Sequence, residues 1–139
     1  MTMWTDRRVL IMGLGAFGGG VGVTRWLCEQ GADVTVTDLR PADDLQDAIE
    51  ALGAVDCRFV CGQHQHNDFE QAETVVVNPA VPCPWDNPYL LTTLAAGGTL
   101  TTEIRILIEQ VDRTRCIGLT GTAGKSTTTA MTHHLLEHA

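Results

Sequence analysis

The chain is 139 residues long, and its 44% hydrophobic and 19% charged residues are typical of a globular domain with its own core. The formal net charge of −8 argues against a nucleic-acid-binding surface, although glycine turns and helix N-termini bind phosphate without net positive charge. No apolar run approaches the length of a membrane span, and the N-terminus lacks the apolar core of a signal peptide. We therefore expect a cytoplasmic protein with no nucleic-acid or membrane partner.

The first predicted element is a continuous apolar strand over residues 8–13, as expected for a central parallel strand covered on both faces. A glycine-rich turn follows, in which Gly13, Gly15 and Gly18 match the three-glycine fingerprint of nucleotide-binding βαβ units. The first glycine permits a tight turn, the second lets the backbone approach a diphosphate, and the third lets the next helix pack closely. Gly31 is predicted to end that helix.

The second strand, Asp33–Asp38, ends in an acid about 20 residues beyond the glycine fingerprint, where dinucleotide-binding proteins carry the acid that holds a ribose hydroxyl. Arg40 follows closely, so Asp38 and Arg40 together are candidates to hold a nucleoside. The alternative is that Asp38 is a solvated strand end or a helix cap. A helix is predicted from Pro41 to about Gly53.

A third strand is predicted over residues 56–61 and a fourth over residues 74–78, with a polar loop at 62–70 between them. The fourth strand leads into a proline-rich loop. This loop leaves the carboxyl end of a parallel strand, where ligands bind in open α/β sheets.

A helix over residues 87–96, a short strand at Thr99–Thr101 and a helix from Thr102 to about Val111 complete the first domain. The apolar side of the last helix is spaced for burial and consists of Ile104, Leu107, Ile108 and Val111.

This alternation of strands and helices predicts an α/β fold with a doubly wound, five-stranded parallel sheet. We expect the Rossmann-like strand order 3-2-1-4-5, with the switch point between the first and fourth strands. The crevice at that point would be lined by residues 15–18, 38–40 and 78–81.

Five cysteines, an odd number scattered through apolar stretches, indicate reduced thiols rather than a disulfide framework. Cys57, Cys61, His64 and His66 lie close in sequence, but their spacing is unlike that of most structural zinc sites. We interpret the two histidines as parts of a solvated loop.

Residues 116–129 predict a phosphate-binding loop. A strand over residues 115–120 is followed by a glycine-rich turn and by a helix from Lys125. In such loops backbone N–H groups and a lysine hold phosphates, and a hydroxyl such as that of Ser126 holds Mg²⁺. The spacing is unusual, because Leu119 stands where the first glycine is expected and Gly121 follows it.

A phosphate loop works within a parallel sheet that also supplies an acid for the metal, and the chain ends at Ala139, soon after this loop. We therefore expect the N-terminal part of a longer enzyme, with a first domain over residues 1–112 and the beginning of a second over residues 113–139. A strand at 115–120 without partner strands would expose backbone and apolar groups. We expect this segment to pack against the first domain or to self-associate with a neighbouring molecule.

Taken in order, these motifs resemble the Mur ligases, the peptide-adding enzymes of peptidoglycan synthesis, and most of all their D-glutamate-adding branch. The resemblance rests on Gly13-Leu-Gly15, Asp38-Leu-Arg40, Asn78-Pro-Ala-Val81, Thr102-Glu103-Ile104 and residues 120–127. Two positions depart from the family pattern: Ala80 stands where a glycine is common, and Ala123 stands where an asparagine is common.

The resemblance implies ATP-driven amide formation through an acyl phosphate, with ATP and Mg²⁺ as cofactors. It implies UDP-N-acetylmuramoyl-L-alanine and D-glutamate as substrates of the full-length enzyme, while the chain alone would be inactive. The residues implied to contact UDP are Gly15, Ala16, Phe17, Gly18, Asp38, Leu39, Arg40, Asn78 and Ala80. The residues implied to bind ATP are Thr120, Gly121, Thr122, Ala123, Gly124, Lys125, Ser126 and Thr127, of which Lys125 and Ser126 are the candidate catalytic residues and Ser126 the candidate metal ligand.

Three alternatives stay open at this point. The first is the L-alanine-adding Mur ligase, from which Ala123 and Ser126 point away. The second is an NAD-binding Rossmann module that uses Gly13–Gly18 and Asp38 and leaves the Lys125 loop without a function. The third is a non-catalytic regulatory or interaction domain.

Overall fold

The computed structural model describes residues 2–15 and 19–138. The chain divides into two compact units, Met1–Leu107 and Ile108–Ala139. The division falls inside a helix, a few residues before the domain boundary predicted at 112. No helix among the described residues is both long and apolar enough to cross a membrane.

The first unit is built on a five-stranded, all-parallel sheet in the order β3-β2-β1-β4-β5, which confirms the predicted fold class and strand order. The strands are β1 Arg8–Met12, β2 Asp33–Asp38, β3 Cys57–Cys61, β4 Thr74–Val77 and β5 Thr99–Thr101. The helices are α1 Gly19–Glu29, α2 Gln46–Leu52, α3 His66–Gln71, α4 Pro88–Ala95 and α5 Glu103–Gln110. A short 3₁₀ helix, Ala42–Leu45, precedes α2, so the helix predicted from Pro41 has two parts.

The sheet is buried on both faces, and each face has its own core. Successive side chains of a strand point to opposite faces. Accordingly, Val9 and Ile11 of β1 pack in the cluster that includes α1 and α2, while Leu10 and Met12 pack with Phe69 of α3 and α4. The continuous apolar run of β1 is explained by this burial on both sides.

The segment predicted as a polar loop at 62–70 contains a helix instead, α3 at His66–Gln71. This helix is six residues long and buries a single large side chain, Phe69, which is 0% exposed. One apolar residue in six gives no helical periodicity, so the pattern was uninformative there.

Helix α5 buries the side opposite to the predicted one. Ile106 is 3% exposed, whereas Ile104 and Leu107 are 53% and 59% exposed. Ile108 and Val111 share the face of Ile104 and are exposed as well. Residues two apart on a helix point about 200° apart, so burial of Ile106 turns that apolar face towards solvent.

In the second unit, a 3₁₀ turn at Arg113–Arg115 and helix α6, Lys125–Glu137, are the regular elements among the described residues. The helix predicted from Lys125 is therefore present. The strand predicted over residues 115–120 is not formed. A strand needs hydrogen bonds to a neighbouring strand, and this unit has no other strand in its described part. Met131 and Leu135, which lie four residues apart on one side of α6, are exposed.

Helix α1 lies against the end of β1 at Gly20. A Cβ on Gly20 would stand 2.1 Å from the carbonyl oxygen of Leu14 and 2.8 Å from its Cα, both of which are backbone atoms. Close packing of helix on strand was predicted for Gly18, which lies outside the described residues. Gly20 is the described residue that permits this contact.

We expect Gly20→Ala to lower the free energy of unfolding by about 2–3 kcal/mol, because the added methyl displaces backbone rather than a flexible side chain. Gly22→Ala is the matched control on the same helix, since a Cβ there meets nothing within 4 Å. That control should raise stability by about 0.5–1 kcal/mol through helix propensity. Urea unfolding of the two variants tests this, and equal effects would contradict the packing described.

Candidate functional site

The carboxyl ends of β1, β2 and β4 meet at an open cavity of about 430 Å³, at the switch point between β1 and β4. Its wall comes from the glycine turn after β1, residues 38–40, His64, Asn78, residues 80–82 and residues 87–89. The cavity brings together the described residues that were predicted to contact UDP: Gly15, Asp38, Leu39, Arg40, Asn78 and Ala80. The other three predicted contacts, Ala16, Phe17 and Gly18, lie outside the described residues.

The glycine turn is held against the loop after β4 by Asn78. Gly13 and Gly15 have φ angles of +90° and +77°, in the left-handed region that favours glycine. The Nδ2 of Asn78 donates to the carbonyl oxygen of Gly13 at 3.3 Å, and a Cβ on Gly15 would lie 2.6 Å from that nitrogen. The Oδ1 of Asn78 accepts from the Ala80 N–H at 2.9 Å. Both polar atoms of Asn78 are therefore engaged within the protein.

Asp38 is 7% exposed and its carboxylate is fully engaged. Oδ2 accepts from the Leu14 N–H at 3.0 Å and from the Arg40 guanidinium at 2.9 Å. Oδ1 accepts from the Arg40 N–H at 3.0 Å and from Arg40 Nε at 3.2 Å. Burial opposes ionisation, but the hydrogen bonds from Arg40 and Leu14 outweigh it, so the pKa of Asp38 is lowered. The carboxylate fixes the glycine turn and Arg40, and a direct ribose contact stays a prediction.

His64 is a site residue that the sequence interpretation missed, since it is half-buried in the cavity wall rather than part of a solvated loop. Its ring meets Phe69 and Tyr89 edge-on, with centroid separations of 5.6 and 5.2 Å. Its Nδ1 lies 2.8 Å from the hydroxyl oxygen of Thr37. Burial lowers the pKa of His64, against the opposing charge of Asp38. The available signal was its place just after the carboxyl end of a parallel strand.

A second missed residue is Glu103, at the start of α5. Its carboxylate lies at the N-terminal end of α1, where a Cβ on Gly19 would stand 2.1 Å from Oε2. A negative charge at a helix N-terminus interacts favourably with the helix dipole. The sequence analysis named Glu103 only as part of a family motif. The spacing of residues in the sequence does not show that its carboxylate lies near the N-terminal end of another helix, α1.

The cysteine and histidine cluster shows no metal geometry. Burial and the neighbouring Cys28 thiol raise the pKa of Cys57 to about 11, so this thiol is protonated at neutral pH. Within residues 2–15 and 19–138, no group of three or more His, Cys, Asp or Glu side chains is placed to hold a metal ion.

The phosphate-loop residues lie in the second unit, at the N-terminus of α6. Gly124 immediately precedes the helix with a φ angle of +76°. The Lys125 ammonium donates to the carbonyl oxygen of Gly121 at 2.6 Å, which closes the turn on itself. The predicted ATP-binding residues, Thr120, Gly121, Thr122, Ala123, Gly124, Lys125, Ser126 and Thr127, are all exposed. Exposed backbone N–H groups at a helix N-terminus, next to a lysine, suit a phosphate ligand.

A family model described as "Mur ligase MurD-like, N-terminal domain" matches residues 7–101. The chain belongs to this family. It is 50% identical over 125 residues to a UDP-N-acetylmuramoylalanine–D-glutamate ligase of Roseiflexus sp. (strain RS-1), which covers 90% of the chain and 26% of the relative. It is 39% identical over 128 residues to the ligase of the same name from Geobacter metallireducens, with 92% and 27% covered. The MurD-like chain thus spans about a quarter of the length of these relatives.

Among solved structures, the MurD-like chain is similar to a pseudomurein peptide ligase type C from Methanothermus fervidus, with a TM-score of 0.55 and 25% sequence identity. The similarity covers 95% of this chain and 26% of that one. The resemblance to Mur ligases inferred from the motifs is thereby confirmed.

Asp38→Asn should lower the free energy of unfolding by about 2 kcal/mol at pH 7, because an amide replaces a carboxylate that accepts charge-assisted hydrogen bonds. A carboxyl group whose pKa is lowered in the folded state stabilises the fold at pH values above its ordinary pKa of 3.8. This contribution is lost as the pH falls from 3.8 through the folded-state pKa. The difference between wild type and variant should therefore shrink below about pH 4.

Urea unfolding between pH 7 and pH 3 measures this difference. Asp43→Asn is the control, since Asp43 is exposed and should change stability by less than about 0.5 kcal/mol. A difference between wild type and Asp38→Asn that stays constant across this pH range would contradict the assigned role of Asp38.

Proposed function

We propose that the first unit is the UDP-binding domain of an ATP-dependent ligase that joins D-glutamate to UDP-N-acetylmuramoyl-L-alanine. The observation that carries this proposal is the cavity at the switch point of a MurD-like domain, walled by the glycine turn and by residues 38–40. Ligands of open α/β sheets bind at this place. The names of the relatives from Roseiflexus and Geobacter supply the substrate pair.

In this proposal, the backbone N–H groups of the glycine turn hold the diphosphate, and the cavity holds the nucleoside. Arg40 is suited to the nucleoside because Asp38 fixes its guanidinium while 39% of its side chain stays exposed. Leu39, 65% exposed at the rim, offers an apolar surface to a flat ring. Ala80 and Asn78 form the opposite wall.

The second unit would supply the beginning of the ATP-binding domain. Exposed N–H groups of residues 120–127 and the ammonium of Lys125 would hold the phosphates, and the Ser126 hydroxyl would give Mg²⁺ one oxygen ligand. Lys125 contacts the carbonyl oxygen of Gly121, which keeps its charge beside the loop that would bind the phosphates. Bound Mg²⁺ would neutralise charge on the phosphates during transfer.

The reaction of the whole ligase has two steps. An oxygen of the substrate carboxylate bonds to the γ-phosphorus of ATP, and ADP leaves. The D-glutamate amine then bonds to the carbonyl carbon of the acyl phosphate, and phosphate leaves as the amine loses a proton. In this reaction, the chain described here would hold the sugar nucleotide by its UDP end. Its Lys125 would stabilise negative charge on the transferred phosphate.

Calorimetric titration with UDP-N-acetylmuramoyl-L-alanine, with NAD as a parallel titrant, tests the first part of this proposal. We expect the sugar nucleotide to bind and NAD not to bind. Arg40→Gln should weaken binding about tenfold, or about 1.4 kcal/mol. Arg58→Gln is the matched control, because Arg58 also pairs with an aspartate but lies outside the cavity wall. Binding of NAD alone would replace the ligase assignment with an NAD-binding module.

For the second unit, Lys125→Met should weaken binding of MgATP at least tenfold, because it removes the lysine charge of the loop while keeping a side chain of similar length. Phosphorus NMR titration of wild type and variant measures this change. His133→Gln, on the exposed surface of the same helix, serves as the control and should bind like wild type. Equal spectra for wild type and Lys125→Met would contradict the phosphate-loop assignment.

A further inference from the structure

The proposed contacts to UDP give no function to His64, although it lines the same cavity as Arg40 and Gly15. The position of its ring is fixed on three sides. Phe69 and Tyr89 meet it edge-on at 5.6 and 5.2 Å, and Thr37 contacts its Nδ1 at 2.8 Å. Phe69 and Thr37 are both 0% exposed, so the ring is anchored to the core of the first unit.

The hydrogen bonds of Thr37 determine which nitrogen of His64 carries the proton. The Thr37 hydroxyl has one proton, and it donates that proton to the backbone carbonyl of Gln63 at 3.3 Å, because a carbonyl only accepts. With its proton directed to that carbonyl, the Thr37 oxygen accepts from His64, which corresponds to the Nδ1–H tautomer. In the neutral imidazole, Nε2 is left with a lone pair and acts only as an acceptor.

Burial keeps this imidazole neutral. It lowers the pKa of His64, and the opposing charge of Asp38 does not reverse that direction because Asp38 is already paired with Arg40. At neutral pH the cavity wall therefore contains a neutral imidazole, with one unprotonated ring nitrogen, rather than an imidazolium.

The carboxylate and amide oxygens of the described cavity wall are engaged within the protein. The carboxylate of Asp38 accepts from Leu14 and Arg40, and the Oδ1 of Asn78 accepts from Ala80. The Oδ1 of Asn87 accepts from the N–H groups at the start of α4. Among the described wall residues, the Nε2 of His64 and the hydroxyl of Tyr89 have no hydrogen-bond partner within the protein, and Nε2 is the one of the two that cannot also donate in this tautomer.

A uracil ring offers one donor that matches this acceptor, its imide N3–H. Cytosine has an unprotonated, accepting N3 at the same place, so it would meet Nε2 with two lone pairs facing each other. An apolar wall built from Val81, Pro82 and Pro88 suits a flat base beside this contact. The arrangement favours uracil over cytosine.

We propose that His64 is a specificity-determining residue, whose Nε2 accepts a hydrogen bond from the N3–H of the uracil base. This inference rests on the proposed UDP-binding function and assigns recognition of the uracil base to one residue. Thr37 is its positioning residue, because its hydrogen bonds set the tautomer.

The decisive experiment is a double-mutant cycle with UDP and N3-methyl-UDP as the two ligands and with wild type and His64→Leu as the two proteins. Calorimetry should show that N3-methylation weakens binding to wild type about tenfold. It should also show that His64→Leu binds UDP about tenfold more weakly and no longer distinguishes the two ligands. His66→Leu is the control, since His66 stacks on Tyr89 at 4.4 Å but is not part of the cavity wall.

Thr37→Val provides a second variant that keeps the imidazole and nearly the same volume. It should reduce the discrimination between UDP and N3-methyl-UDP several-fold while leaving UDP bound. Nitrogen NMR of the wild type should show the neutral Nδ1–H tautomer of His64.

Each outcome decides a different point. Equal weakening by N3-methylation in wild type and His64→Leu, or a neutral Nε2–H tautomer, would overturn the role of His64 and leave UDP binding intact. Failure of the wild type to bind either ligand would overturn the UDP-binding function and the His64 inference with it.

Discussion

The cavity depends on one buried carboxylate. Asp38, at the end of β2, accepts hydrogen bonds from the backbone of the glycine turn after β1 and from Arg40. Taking this charge out of water is costly, and four hydrogen bonds from Leu14 and Arg40 offset that cost. The glycine turn and the guanidinium are therefore held in place before any ligand arrives, which lowers the entropy lost on binding.

This arrangement divides the polar groups of the site into two sets. The carboxylate of Asp38 and the amide nitrogen of Asn78 connect the ends of separate strands, so these two side chains shape the cavity. Arg40 and His64 keep polar atoms available in the described wall. A reader of the sequence alone would assign the acid to the ligand, because acids at this place bind ribose in dinucleotide-binding proteins. Here its hydrogen bonds are made within the protein.

The parts of the fold that sequence patterns predicted are those with strong local signals. Central parallel strands are continuous apolar runs, and the glycine turn has a fixed spacing, so the sheet and its switch point followed from the sequence. Weak local signals failed. Helix α3 buries a single large apolar residue, Phe69. The buried face of helix α5 depends on the one residue that meets the core, Ile106. The strand predicted at 115–120 needs a partner strand, which residue spacing does not reveal. His64 was interpreted as part of a solvated loop because its contacts with Thr37 and Tyr89 come from elements distant in sequence.

The link between Asn78 and Gly13 joins residues 65 positions apart in the chain. β1 pairs directly with β4, although α1, β2, α2, β3 and α3 lie between them in the sequence. The cavity wall is therefore complete only after all of these elements. Contacts of such long sequence separation form only after loop-closure entropy has been overcome, and they slow folding. During synthesis on the ribosome, a nascent chain without β4 and the start of α4 therefore has no complete cavity. In the proposed function, a bound nucleotide would stabilise only the finished domain and would not guide the folding of its first half.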